Sequence, residues 1–282
     1  MDALCHLEIL ENRGEKFFIT SFAGAFFLKE SGQNQKASLN FEENLTKSWK
    51  TLEQVLIKGE REFNTDSKGD ESYKNALNSY VLAMDDAAKI RAKEMWNCLK
   101  FKGEGSVMDI GAGSGAFLCE FLELNKNWRG VFCDLSDVID IAQENKRVLS
   151  VKDRLNFHTC NLLENPFENY DKKPDIILLS NVIHCYNADE IKDIFTYISG
   201  ISKDDTIIII HDFFKDISWH GALYDLHMML NTYSGRTYTT LEITDLLGTF
   251  GFDHAFSQKL PSHSAFIAFS KEREYLDKIR EV

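Results

Sequence analysis

The segment Ser106-Val-Met-Asp-Ile-Gly-Ala-Gly-Ser-Gly-Ala-Phe117 changes character twice in twelve residues. An apolar run of β type (Val107, Met108, Ile110) meets three glycines in five positions (Gly111, Gly113, Gly115). A helical pattern then carries Phe117, Leu118, Phe121 and Leu122 on one side. Strand, tight turn and helix form the opening unit of a nucleotide-type α/β domain. Glycine suits such a turn because it accepts φ > 0 and lets the backbone approach a ligand closely. The helix that follows would offer free N–H groups and a positive dipole end to an anionic part of that ligand.

Downstream of this unit, strands are expected over 106–111, 130–134, 155–160, 174–181 and 206–213, with helices near 115–125, 136–149, 188–200, 218–232 and 239–250. The alternation implies βαβ units and a mostly parallel sheet. Strands near 252–259 and 264–269 follow the last long helix, so an antiparallel hairpin closing the sheet fits them. Upstream, the periodicity from 39 to 99 is helical, through Leu45, Trp49, Leu52, Leu77, Tyr80, Met84 and Trp96 among others. Residues 30–37 read as polar loop, 64–72 as an exposed connection, and 100–105 as the hinge between a domain of 1–99 and one of 100–282. Residues 1–29 read as a helix (Leu4, Leu7, Leu10), a turn at Asn12-Arg-Gly14, a strand over 16–20 and a helix over 21–29. A DNA-recognition helix with a wing is one interpretation. Glu8, Glu11 and Glu15 crowd the place where phosphates would lie, so a packing or dimer element is favoured.

Composition narrows the function. At 282 residues the chain has ample core for one large domain or two. A net charge of −12 argues against a nucleic-acid surface, which would show a clustered basic face. No apolar run approaches the ~20 residues of a membrane span, and no signal-peptide pattern opens the chain. The six cysteines (Cys5, Cys98, Cys119, Cys133, Cys160, Cys185) form no C-x-x-C pair, so a cytoplasmic, disulfide-free protein is expected. His6, His158, His211, His220, His227, His254 and His263 show no metal-ligand spacing, and metal-free chemistry is expected.

In open α/β sheets ligands bind beyond the carboxyl ends of the strands. Asp109 leads into the glycine turn, and Asp134 ends the second strand where a carboxylate should accept from ribose hydroxyls. The third strand ends at Cys160-Asn161, whose amide could read an adenine edge. The fourth runs into Ser180-Asn181 and then His184, and the fifth ends at His211-Asp212. Singly, each has a plain explanation as a turn former, a helix cap or a solvated histidine. Together on one sheet edge they point to a site. Gly111, Gly113 and Ala116 also satisfy G-x-G-x-x-[GA], so NAD competes as cofactor. Asp109, the third glycine and the closing hairpin tilt against it.

On these residues the chain resembles the class I S-adenosylmethionine (SAM)-dependent methyltransferases, specifically small-molecule O-methyltransferases of the plant caffeate/hydroxyindole type and their bacterial relatives. The resemblance covers nearly the whole chain. Val107-Met-Asp-Ile-Gly-Ala-Gly-Ser-Gly-Ala-Phe117 resembles the family's first motif, and Cys133-Asp-Leu-Ser-Asp-Val-Ile139 its DLPxVI segment. Asn161-Leu162 takes the place of its adenine contact, and Leu179-Ser-Asn-Val-Ile-His-Cys-Tyr-Asn-Ala-Asp-Glu190 resembles its HDWxDE region. Leu226-His-Met-Met-Leu-Asn-Thr-Tyr-Ser-Gly-Arg-Thr-Tyr-Thr239 resembles its late substrate helix and GGxxRT turn. Residues 3–28 resemble the end of its winged-helix dimerisation domain, so the chain is expected to begin inside that domain.

The resemblance implies a Rossmann-like sheet with a helical, partly winged-helix N-terminal domain and a homodimer formed through it. It also implies SAM as donor and S-adenosylhomocysteine (SAH) as product. His184 falls on the family's base, which Asp212 would orient. Asp109, Gly111, Gly113, Gly115, Asp134, Leu135, Asn161, Leu162 and Ser180 would meet the cofactor, while Tyr80, Met84, Met228 and Asn231 would wall a small-molecule acceptor. Two positions depart from the pattern: the Asp after the histidine is Cys185, and one of two bracketing acidic residues is Thr237. A base held by fewer carboxylates is less firmly oriented. The rivals are C- or N-methylation of a ring substrate, a non-methylating use of the sulfonium, an NAD enzyme, and a DNA-binding regulator.

Overall fold

The computed structural model describes residues 1–28, 31, 34–58 and 71–280. The expected loop at 30–37 falls partly outside the described residues, and the expected connection at 64–72 falls outside them up to residue 70.

The chain opens with α1 (Asp2–His6), an antiparallel hairpin of β1 (Leu10–Arg13) and β2 (Lys16–Ile19), and α2 (Ser21–Phe27). Leu10, expected on the first helix, instead pairs with Ile19 in β1. Glu8 takes φ 57, which stops the helix, and its carbonyl accepts from the Thr20 hydroxyl at 2.6 Å. Thr20 also accepts from Ala23 N–H at 3.0 Å and so caps α2. Helical periodicity is then realised as α3 (Lys36–Trp49), α4 (Leu52–Lys58) and α5 (Glu71–Trp96). The last turns of α5 enter the core beside the sheet, where the Trp96 indole donates to the Phe117 carbonyl at 2.9 Å.

The sheet comprises β3 (Gly105–Ile110), β4 (Trp128–Asp134), β5 (Leu155–Thr159), β6 (Ile176–Ser180), β7 (Ile207–Asp212), β8 (His254–Lys259) and β9 (Ala265–Ser270), in the order β5-β4-β3-β6-β7-β9-β8. The five strands from β5 to β7 are parallel, while β9 runs antiparallel to both its neighbours. The expected closing hairpin is therefore present. Between them lie α6 (Ala116–Leu124), α7 (Ser136–Gln143), α8 (Lys146–Val151), α9 (Ala188–Ile201), α10 (Trp219–Asn231) and α11 (Thr240–Gly248), with α12 (Arg273–Ile279) last. The single helix expected over 136–149 is divided in two. Asn145 is extended there, and its side chain accepts from Arg147 N–H at 2.9 Å, starting α8 afresh.

Successive strand residues face opposite sides, and both sides are covered, so Ile176–Ser180 is buried throughout. Met108, Ile110 and Leu179 belong to one core, and Val107, Leu178 and Ile209 to the other. The chain leaves β3 toward β4 on one side and returns to β6 on the other. That reversal opens a crevice between the carboxyl ends of β3 and β6, where the polar residues gather. Among the described residues no helix is long and apolar enough to cross a membrane, and no group of three or more His, Cys, Asp or Glu could hold a metal ion.

Candidate active site

The glycine turn joins β3 to α6 with Gly111, Gly113 and Gly115 at φ 72, 57 and 77. A Cβ at 111 would stand 2.5 Å from Val182 Cγ2, and one at 115 would stand 2.9 Å from Phe132 Cε2. At 113 a Cβ would meet nothing within 4 Å, so the turn is open on that side. Gly113 N–H donates to Asp134 Oδ2 at 2.7 Å and Leu135 N–H to Oδ1 at 2.8 Å. The turn and the end of β4 are thereby held together. Asp134 is pushed up by burial despite both donors, and Leu135 beside it is exposed.

Asp109 is 1% exposed, and its Oδ1 has no hydrogen-bond partner. Burial, then the neighbouring Asp134, raises its carboxyl to about 8. Next to it, Ser180 Oγ and His211 Nδ1 are 3.0 Å apart, and His211 Nε2 meets Ser264 Oγ at 2.9 Å. Burial, with Arg91 and His184 nearby, drops His211 to about 3, so it is neutral. Asn181 sits at φ 56 with its Oδ1 buried and unpartnered. Asn161 is differently occupied: its Oδ1 accepts from Leu163 N–H at 3.2 Å and its Nδ2 donates to Glu164 at 3.0 Å. Both ends of that amide serve a local turn, and the Leu162 side chain is in the core.

His184 and Asp212 meet across adjacent strand ends. The imidazole Nδ1–H donates to Asp212 Oδ1 at 2.6 Å, and both residues are buried. Phe213 N–H donates to the same oxygen at 2.7 Å, while Oδ2 has no partner. Burial works against a charged imidazole, but the adjoining carboxylate outweighs it and holds His184 well above its ordinary value. Cys185 is a half-buried free thiol. The Thr237 hydroxyl donates to the Gly221 carbonyl at 3.0 Å and its N–H to Asp225 at 2.8 Å.

Tyr80 and Met84 share one face of α5. Tyr80 is 46% exposed, and its hydroxyl is raised by burial of that end and then by Cys185, with Tyr224, His184 and Asp134 also acting on it. Met84 is half-buried. On α10, Met228 is buried in the structure rather than open, and the Asn231 amide donates to the His227 carbonyl at 2.8 Å.

Several residues near the pair went unread in the sequence. The Tyr224 ring meets His184 edge-on at 5.1 Å and Phe213 at 4.6 Å. Arg91 lies 4.7 Å over the Phe213 ring, is lowered by burial, and makes no ion pair with a carboxylate among the described residues. His227 stacks near-parallel with Tyr224 at 5.3 Å and with Trp49 at 6.2 Å. A signal existed for Arg91: it falls eleven residues after Tyr80, on the apolar face of the same helix. None existed for Trp49 against His227, which meet only through packing of α3 on α10.

An open glycine turn facing a carboxylate, at a sheet's switch point and near a buried His–Asp pair, forms a candidate ligand site. The family model of the O-methyltransferase domain matches residues 49–253, and the chain belongs to that family. It is similar to phenazine-1-carboxylate N-methyltransferase of Pseudomonas aeruginosa, 27% identical over 68% of this chain and 56% of that one. It is also similar to 3-hydroxy-5-methyl-1-naphthoate 3-O-methyltransferase of Streptomyces sahachiroi, 23% identical over 62% and 51% respectively. The chain thus spans about half the length of these curated relatives. The solved structure of human N-acetylserotonin methyltransferase in complex with SAM shares the fold, with a TM-score of 0.80 at 19% identity over 96% of this chain and 82% of that one.

Proposed function

We propose that this chain is a SAM-dependent methyltransferase that methylates a hydroxyl of a small aromatic metabolite, with His184 as general base. The observation that carries the proposal is the buried His184–Asp212 hydrogen bond of 2.6 Å at the crevice edge. SAM, when bound, supplies an electrophilic methyl on a sulfonium. The residues fit it: Gly113 is open, Asp134 is ready to accept from ribose hydroxyls, and Asp109 Oδ1 is an orphaned buried polar atom. Arg91, half-buried and with no carboxylate ion pair among the described residues, would take the methionyl carboxylate. Leu135 would cover the adenine with the backbone at Asn161 and Leu162 below, and Ser180 would act through its link to His211.

Asp212 fixes the His184 tautomer, leaving Nε2 to take the acceptor's proton, and it stabilises the imidazolium that results. Tyr80, Met84, Tyr224 and Asn231 would align the acceptor and keep water out. Calorimetry with SAH tests the cofactor: micromolar binding should vanish in Asp134→Ala. His184→Ala should keep that binding and lose most turnover. Undiminished turnover refutes the base.

A ring-nitrogen acceptor is the second reading, favoured by the Pseudomonas relative, and the NMR shift of the transferred methyl separates N- from O-products. The chain is further proposed to pair with a second copy through its N-terminal segment, since exposed Leu7, Phe22, Phe27 and Leu39 line an apolar groove of about 560 Å³ there. Six free cysteines support a reducing, cytoplasmic setting.

A further inference from the structure

On α10, Tyr224 meets the His184 ring edge-on and, one turn later, His227 stacks on Tyr224. His227 belongs to a run of rings from Trp49 through Tyr224 to His184. Asn231 Nδ2 lies 3.3 Å from His227 Nδ1 and also donates to the His227 carbonyl. An amide nitrogen can only donate, so Nδ1 must accept and the ring proton sits on Nε2. Burial, then the charge on His184, lowers His227 and keeps it in that neutral form. Nε2–H has no hydrogen-bond partner among the described residues.

The two imidazoles therefore offer opposite faces. His184 gives its Nδ1–H to Asp212 and exchanges a proton at Nε2, whereas His227 accepts from Asn231 at Nδ1 and presents Nε2–H. We propose that His227 is the specificity-determining residue of the acceptor site, and that the acceptor is a flat aromatic bearing, besides its methylated hydroxyl, an in-plane hydrogen-bond acceptor such as a ring nitrogen or carbonyl. Tyr224 and Trp49 both stack on the imidazole and restrain its ring plane. Asn231 is then a positioning residue that acts by fixing the tautomer. The inference rests on the methyltransferase reading above.

The test uses the SAH complex of the full chain with imidazole ¹⁵N labels and three near-isosteric probes: 2-naphthol, 6-hydroxyquinoline and 7-hydroxyquinoline. NMR at pH 7 should find His227 neutral with its proton on Nε2, and Asn231→Leu should release it to a tautomer mixture. At least one hydroxyquinoline should bind about tenfold tighter than 2-naphthol, and His227→Phe should erase that difference. A charged or Nδ1–H His227, equal affinities in the wild type, no binding of any probe, or a difference that survives in His227→Phe each overturns the proposal. Loss of SAH binding by the wild type would instead sink the methyltransferase reading itself.

Discussion

Burial decides how Asp109, at the edge of the crevice, holds its proton. Asp109 keeps its proton to about pH 8 because it is enclosed, lies beside Asp134 and has one oxygen without a donor. An unfolded aspartate ionises near ~4. Between those values the folded chain binds more protons than the unfolded one, so stability falls as pH rises. Asp109→Asn removes that slope, and thermal melts from pH 5 to 8 should show the variant gaining on the wild type. Asp212 is enclosed too, but it has His184 as partner. The imidazole's elevated value means that its base form grows only as pH rises above neutrality. In Asp212→Asn the rising limb of the pH–rate profile should move to lower pH while the plateau drops about a hundredfold. An unmoved limb would show that the limb belongs to another group.

At the scale of an element, the segment carrying His184 is short and irregular, and α9 anchors it. Asn187 accepts from Asp189 and Glu190 N–H at 3.0 Å each, and Glu190 accepts from Asn187 N–H at 2.8 Å, a reciprocal cap. Glu190 also accepts from Ser234 Oγ at 2.5 Å, tying the cap to the loop after α10. Asn187→Ala should cost about 1 kcal/mol and lower the melting temperature by about 2–4 °C. It should also reduce kcat/KM, because the loop at 183–187 loses an end-point; a stability loss with unchanged kcat/KM would separate the cap from the site. The S/T/D/N-x-x-E pattern that makes this cap is legible in the chain, as is the glycine turn. The break at Asn145 and the early end of α1 are less so, since each turns on a single side-chain bond competing with an otherwise continuous apolar pattern.

For the whole molecule, the proposed acceptor wall is assembled from parts far apart in the chain. Trp49 ends α3 and reaches His227 of α10, while α5 brings Tyr80 and Arg91 over the sheet edge. Trp49→Ala should raise the KM for the acceptor about threefold to tenfold with SAH affinity unchanged. Weakened SAH binding instead would assign Trp49 to the fold rather than to the acceptor.

Local spacing alone determined the strand–turn–helix unit, the alternation that makes the parallel sheet, and the placing of Asp134 and His184 at strand ends. Each of those is fixed by the periods of strand and helix and by what glycine permits. Asp212 beside His184 was implied by the family resemblance, and the parallel pairing of β6 and β7 brings the two strand ends together. Tertiary structure decided the rest: that Asn161 spends its amide on its own turn, that Met228 turns into the interior, and that Arg91, Tyr224 and His227 join the pair. Those outcomes depend on how α3, α5 and α10 rotate as they pack over the sheet. No run of residues in one helix encodes the side chain that will face it from another.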